Sequence, residues 1–240
     1  MIDVTLIQIR HPDDAMALHE RECLSKRVGG LDVRWRVRNV FRDVPHLSWL
    51  DGASAMLVGG SGSYSVHDAR STPWVTPLRD VLELALKTSL PSMGICFGHQ
   101  LLGFHLGSKV ETDPSRAEVG TIPVELTDLG RTDPLFNEFS PSFLVHTGHS
   151  DSVMKAPDGV SVLGRSSALE TQIFKVNGAP FYSTQFHPDI SGEEARYRYA
   201  AYQRGLAEAV PMVAPPESLR YKVGEDESNL LIGRFLRLLA

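Results

Sequence analysis

The chain opens on a short apolar run, VTLIQI at residues 4–9, and then changes period. DDAMALHERECLSKRVGG, residues 13–30, carries helix formers and closes on a glycine pair. A helix is expected there, with Asp13 as its N-cap and the glycines as its stop. DVRWRV at 32–37 alternates apolar with polar, and SAMLVGG at 54–60 is almost continuously apolar before its glycines. TPLRDVLELALKTSL, residues 76–90, puts Leu78, Val81, Leu82, Ala85 and Leu86 on one helical face, with Pro77 near the start. PSMGIC at 91–96 is a further apolar run, and GHQLLGFHLGS at 98–108 resumes helical spacing. Apolar strands alternating with amphipathic helices imply a parallel sheet covered on both faces.

The second half is richer in strands. VGTIPVELT (119–127), SFLVHTG (142–148), VSVLGRS (160–166), TQIFKVN (171–177) and PFYSTQF (180–186) all fit short extended segments. Asn177-Gly178 predicts a hairpin between the last two. GEEARYRYAAYQRGLAEA, residues 192–209, is helical, and the prolines of PMVAPPESLR at 211–220 mark a linker. In SNLLIGRFLRLL, residues 228–239, helical spacing puts Leu230, Leu231, Phe235 and Leu238 on a face expected to dock on the body. With no internal repeat visible, one α/β domain over 1–240 is expected, its body at about 4–206 and a C-terminal extension at about 211–240.

Composition narrows the classes. At 42% hydrophobic and 22% charged, the chain is of ordinary globular make-up. A net charge of −5 and the lack of any basic run argue against a nucleic-acid or anionic-membrane partner. Arg34, Arg36 and Arg38 recur at period two, which suits the wet face of one strand. No apolar run nears the roughly 18 residues of a membrane span, and the acid at position 3 does not suit a signal peptide. Two cysteines make no disulfide framework, so a reducing, cytoplasmic setting is expected.

Cys23 and Cys96 are by base rate inert buried thiols. Cys96, however, lies in GICFG between a strand and a helix, the layout of a nucleophile elbow. Glycines two before and two after relieve crowding around a strained residue, and a helix N-terminus with a nearby imidazole favours a thiolate. Cys23, with no motif around it, is read as packing or surface. QFHPD at 185–189 ends a strand in a histidine with a carboxylate two residues on, which can orient one ring nitrogen and leave the other free. LVGGSGSYSVHD at 57–68 feeds a glycine-rich loop. It lacks the Lys-Ser/Thr of a phosphate loop, and fits a backbone N–H donor to a developing oxyanion instead. Each piece also has a plain reading as a turn.

Together, GGSGSYSVHD, GICFGHQ and QFHPD resemble the class I, triad-type glutamine amidotransferases, and most closely the free-standing members related to the GMP synthetase amidotransferase domain. The likeness runs from Val4 to about Leu206 and includes RAEVGTIPVELTDLGRTDPLF and HTGHSDSV. It implies a three-layer α/β/α fold with a mostly parallel central sheet of flavodoxin-like topology. It implies Cys96, His187 and Asp189 as catalytic triad, with the N–H groups of Gly60 and Phe97 as the oxyanion hole. Gly59, Gln100, His149, Ser150 and Asp151 would bind substrate. The implied reaction is hydrolysis of glutamine through a Cys96 thioester, releasing ammonia to a separate synthase subunit, with no cofactor.

One departure stands out. The family's acid is normally glutamate, and Asp189 is one methylene shorter. On an unchanged backbone its carboxylate is expected to fall about 1 Å short of the ring, a displacement that can cost about 10²-fold. Two other readings stay open: a γ-glutamyl peptidase working alone, and a catalytically weak regulatory protein. A zinc site from Cys96, His146, His149 and His187 is disfavoured, since strand alternation sends His146 and His149 to opposite faces.

Overall fold

A computed structural model describes residues 1–206 and 221–239. Three largely buried apolar strands, β1 (Ile2–Ile9), β3 (Ala55–Ser61) and β4 (Ser92–Ile95), and the alternating β2 (Val33–Asn39) lie parallel in the order β2-β1-β3-β4. The sheet continues through five later strands. These are β11 (Phe181–Thr184), β10 (Ile173–Val176), β9 (Val160–Arg165), β6 (Glu118–Leu126) and β7 (Ser142–His149). β11 is parallel to β4, and the pairings from β11 outwards to β7 are antiparallel. The central sheet is therefore mixed, a parallel half from β2 to β11 continued by an antiparallel half from β11 to β7. β5 (Val110–Thr112) and β8 (Asp151–Val153) form a separate antiparallel pair.

Alternation along the strands divides the core in two. Leu57, Met93 and Ile95 face one side, with Leu24 of α1 (Met16–Lys26) and Leu231, Ile232, Phe235 and Leu236 of α6 (Leu231–Arg237). Met56 and Val58 face the other, with Leu78, Val81 and Leu82 of α2 (Thr72–Lys87) and Leu101 and Leu102 of α3 (Phe97–His105). The expected three layers are present. Two further α-helices among the described residues are α4 (Asp128–Thr132) and α5 (Gly192–Leu206), which lies against α1.

Several boundaries differ from the sequence expectation. Asp14, not Asp13, receives the N–H of Met16 at the start of α1 (2.8 Å). α2 begins at Thr72, a turn before Thr76, because burial of Trp74 and Val75 outweighs the backbone bond lost at Pro77. The tail helix buries positions 231, 232, 235 and 236, leaving Leu230 and Leu238 exposed, so its inner face is rotated from the expected one. The proline linker at 211–220 lies outside the described residues. Asn177-Gly178 does turn the β10–β11 hairpin, with Gly178 at φ +78°, and β2, carrying its arginines, is an edge strand. Arg34 there pairs with Asp3.

Topology then places the site. From β1 the chain crosses to β2 on one side and then back to β3 on the other, leaving a crevice beyond the carboxyl ends of β1 and β3. Ligands of such sheets bind at this switch point. Arg10, Ser61 and Cys96, which follow β1, end β3 and follow β4, all line one cavity of about 260 Å³ there.

Candidate active site

β4 runs directly into Cys96, the residue before α3. Its φ of 50° and ψ of −97° are a conformation that L-residues with side chains rarely adopt. The flanking glycines are there for space. A Cβ on Gly94 would stand 2.6 Å from the carbonyl oxygen of Gly98, and one on Gly98 would strike the carbonyl of Val58. The elbow thus requires β3, β4 and α3 to approach backbone to backbone. Cys96 is buried, yet lines the cavity, and Nε2 of Gln185 donates to its Sγ at 3.7 Å. Cys23 behaves otherwise: packed beside His19 at 3.6 Å, its thiol is pushed by burial to about 12. One thiol is packing, and the other faces a pocket.

β11 delivers His187. Its Nδ1 bonds to Oδ1 of Asp189 at 2.9 Å, so the short carboxylate reaches the ring and the expected gap is absent. The other oxygen, Oδ2, accepts from NH1 of Arg198 on α5 at 2.8 Å. Burial alone would lower the imidazole's proton affinity. The charges of Asp189 and then Cys96 outweigh it and raise His187 to about 9. Burial likewise opposes ionisation of Asp189, but Arg198 and then His187 hold its carboxyl far below the usual carboxylate range. With Nδ1 on Asp189, Nε2 is the nitrogen left for chemistry.

Gly60, at the end of β3, lies under that ring, where a Cβ would stand 2.8 Å from Cε1 of His187. Gly59 is turned away, its missing side chain facing Glu20 (2.8 Å to Oε1). Phe97 packs its ring against Trp74. As the first residue of α3, it carries an N–H with no acceptor inside the helix.

The far wall of the cavity carries Gln100, His149, Ser150 and Asp151. Gln100 donates to the carbonyl of Asp151 at 2.9 Å and to Oε1 of Gln185 at 3.3 Å. The carboxylate of Asp151 accepts from Thr112 (2.6 Å) and from Ser65 of the glycine-rich loop. His149 is locked between the Asp151 carbonyl (3.0 Å) and Glu118 (3.1 Å), and Glu118 in turn accepts from Ser166 and Gln172. His146 points elsewhere, to Thr121 at 2.9 Å and towards Asp226 at 3.1 Å. Of the four side chains of the zinc reading, His146 is thus turned away from the cavity that Cys96, His149 and His187 line. Among the described residues, no group of three or more histidine, cysteine, aspartate or glutamate side chains is arranged to hold a metal ion.

Sequence reasoning missed Arg198, the buried Arg10–Glu20 pair (3.1 Å), Gln185, Glu118 and Asn229. Arg198 did leave a signal: Ala195, Arg198 and Tyr199 share the buried face of α5, and an arginine on such a face needs a buried anion. Asn229 left none, since it acts on backbone. Its side chain donates to the carbonyls of Pro188 (3.2 Å) and Ile190 (2.8 Å), clamping the turn that carries Asp189.

A thiol at a strained strand–helix elbow and an imidazole line one cavity, and a buried carboxylate backs the ring, an arrangement with the chemistry for nucleophilic acyl transfer. The family model for class-I glutamine amidotransferases matches residues 21–203, more than half of the chain. The chain belongs to the class-I glutamine amidotransferase family. Among curated relatives, one component of the glutamine-hydrolyzing GMP synthase of Methanocaldococcus jannaschii is 30% identical over 122 residues, 51% of this chain and 63% of that protein. The corresponding component from Sulfurisphaera tokodaii is 30% identical over 138 residues, 58% of this chain and 69% of that one. The matched stretches thus cover somewhat under to somewhat over two thirds of those relatives. A glutamine amidotransferase structure from Thermotoga maritima matches with a TM-score of 0.72 at 20% identity, covering 99% of this chain and 97% of that one. A glutamine amidotransferase structure from Methylobacillus flagellatus gives 0.68 at 18%, covering 100% and 90%. At such identities the likeness is one of fold.

Proposed function

We propose that the protein hydrolyses the γ-glutamyl amide of glutamine through a covalent Cys96 intermediate, and that the ammonia passes to an acceptor on a separate chain. The observation that carries this is that Cys96 and His187 line one cavity, with Asp189 bonded to the ring from behind, in a chain of this family. Sγ of Cys96 adds to the amide carbon. The oxyanion then takes the backbone N–H groups of Gly60 and Phe97, donors worth about 10²–10³ in rate each. The C–N bond breaks as Nε2 of His187 gives its proton to the departing nitrogen, leaving a glutamyl thioester and ammonia. Water, losing a proton to the same nitrogen, opens the thioester to glutamate and restores the thiol. Gln100, His149, Ser150 and Asp151 hold the amino-acid end. The relatives are named as one component of a synthase, which supports an acceptor outside this chain.

A second reading uses the same site for γ-glutamyl amides whose amine carries a substituent. It is favoured by Tyr64, Tyr199, Tyr202 and Tyr221, which line the cavity with Cys96 and give it an aromatic wall that ammonia does not need. Mass spectrometry after brief exposure to glutamine or to a γ-glutamyl dipeptide tests both. A glutamyl adduct on Cys96 from glutamine, with turnover, supports the first reading, and one from the dipeptide alone supports the second. No adduct from either overturns both.

A further inference from the structure

We propose that Arg198 is a positioning residue for the site, holding the far oxygen of Asp189 so that the near one meets His187, and setting a fixed positive charge against the imidazole. This rests on Cys96 and His187 acting as proposed above. Asp189 is almost fully buried and has two oxygens to satisfy. Oδ1 is on His187 at 2.9 Å and Oδ2 is on Arg198 at 2.8 Å. Without the second bond the carboxylate could turn about its own axis, and aspartate, with one methylene, has little length with which to recover the contact.

Arg198 is itself held. Its Nε and NH2 stand 3.4 Å from Nδ1 of His19 on α1, an acceptor only while that ring is neutral. Burial, followed by Arg198, lowers His19 to about 4, so the ring stays neutral through the physiological range. Four side chains from three parts of the fold therefore run in series: His187, Asp189, Arg198 and His19. Arg198 acts in two directions at once. NH1 anchors Asp189 but also lies 3.4 Å from Nδ1 of His187, where its charge opposes a proton on the ring. The other charged or titratable groups around this series are Cys96 before α3, Arg10 after β1, Glu20 and Cys23 on α1, Glu194 on α5, and Tyr199 and Tyr221 on the cavity wall. Arg10 and Glu20 neutralise each other at 3.1 Å, and Glu194 is taken by Lys26 and Arg27. Arg198 is thus the cation whose removal alters the imidazole's surroundings most directly.

Arg198→Met, Arg198→Gln and Arg198→Lys separate anchoring from charge. Arg198→Met loses both and is expected to lower kcat about tenfold to a hundredfold, with KM little changed. Arg198→Gln keeps a donor but not the charge, and is expected to move the alkaline limb of the pH profile up by about half a unit or more. Arg198→Lys keeps the charge and should leave that limb in place. Each variant is also made with Asp189→Asn, where loss of Arg198 should cost nothing further in kcat. The pH dependence of Cys96 alkylation by iodoacetamide is followed in parallel, since it reads the thiol–imidazole pair without any substrate. A limb that stays put in Arg198→Gln by both readouts, or additive losses with Asp189→Asn, overturns the proposal. If Arg198→Met does not fold, the Gln and Lys variants carry the same test. Absent turnover with a moved alkylation profile would sink the assigned reaction while leaving the role of Arg198 intact.

Discussion

Gly60 lies so close beneath His187 that a single methyl group there would stand 2.8 Å from Cε1 and 3.5 Å from Nε2. The glycine proposed as an oxyanion donor is therefore also the floor on which the imidazole rests. Gly60→Ala should tilt the ring away from Cys96 and lower kcat about 10²-fold, with little change in KM. Far-ultraviolet circular dichroism should show the fold retained. Unchanged kinetics would mean that the ring does not rely on this floor.

Cys96 sits at φ 50° only because the elbow forces it there. Glycine adopts such backbone without penalty, so Cys96→Gly should abolish turnover while raising stability by about 1 kcal/mol. Cys96→Ser keeps the strain and should lose activity without that gain. Urea unfolding midpoints of the two variants, measured side by side, decide the matter.

The titrating groups bound stability on both sides. His187 is raised from 6.5 to about 9, so its contribution is complete below pH 6.5 and is lost as pH climbs towards 9. Asp189 is depressed, so its contribution is present above about pH 4 and fades on further acidification. His19 and His99, lowered chiefly by burial to about 4 and about 3, bind protons more readily unfolded, and destabilise the fold as pH falls below 6.5. Tm should therefore peak near pH 6.5. His187→Gln should flatten the decline between 6.5 and 9. A decline that survives in His187→Gln would assign it to other groups.

Asn229→Ala leaves the carbonyls of Pro188 and Ile190 buried without their donor, at a cost of about 1–3 kcal/mol. Because Asp189 lies between those two residues, kcat should fall as well. Leu230→Ala, at a side chain 61% exposed, should change stability by less than about 0.5 kcal/mol and serves as the control. Thermal melts and initial rates of the pair check both points.

What could be read from the chain divides along a physical line. The strands, the α2 and α3 faces, the Asn177-Gly178 turn and the spacing around Cys96 follow from neighbours in sequence, where period and glycine speak directly. The inner face of α6 and the start of α2 did not, because they are chosen by burial of Ile232, Leu236 and Trp74 against distant strands. At the site, His187 and Asp189 are two residues apart and were legible together. The length of the aspartate suggested a gap, but the path of the turn closes it, and that path depends on Asn229, 40 residues further on. Arg198 comes from α5, and although its place on that helix's buried face is periodic, the period does not say which anion it meets.

The clamp from Asn229 also sets an order of events. During synthesis, Cys96, Gly60 and His187 all leave the ribosome well before residues 226–237, which hold the Asp189 turn and fill one side of the sheet. A nascent chain therefore holds Cys96, Gly60 and His187 before the segment that clamps the Asp189 turn exists. The contact between Asp189 and His187 thus rests on a segment made after both of the residues it serves.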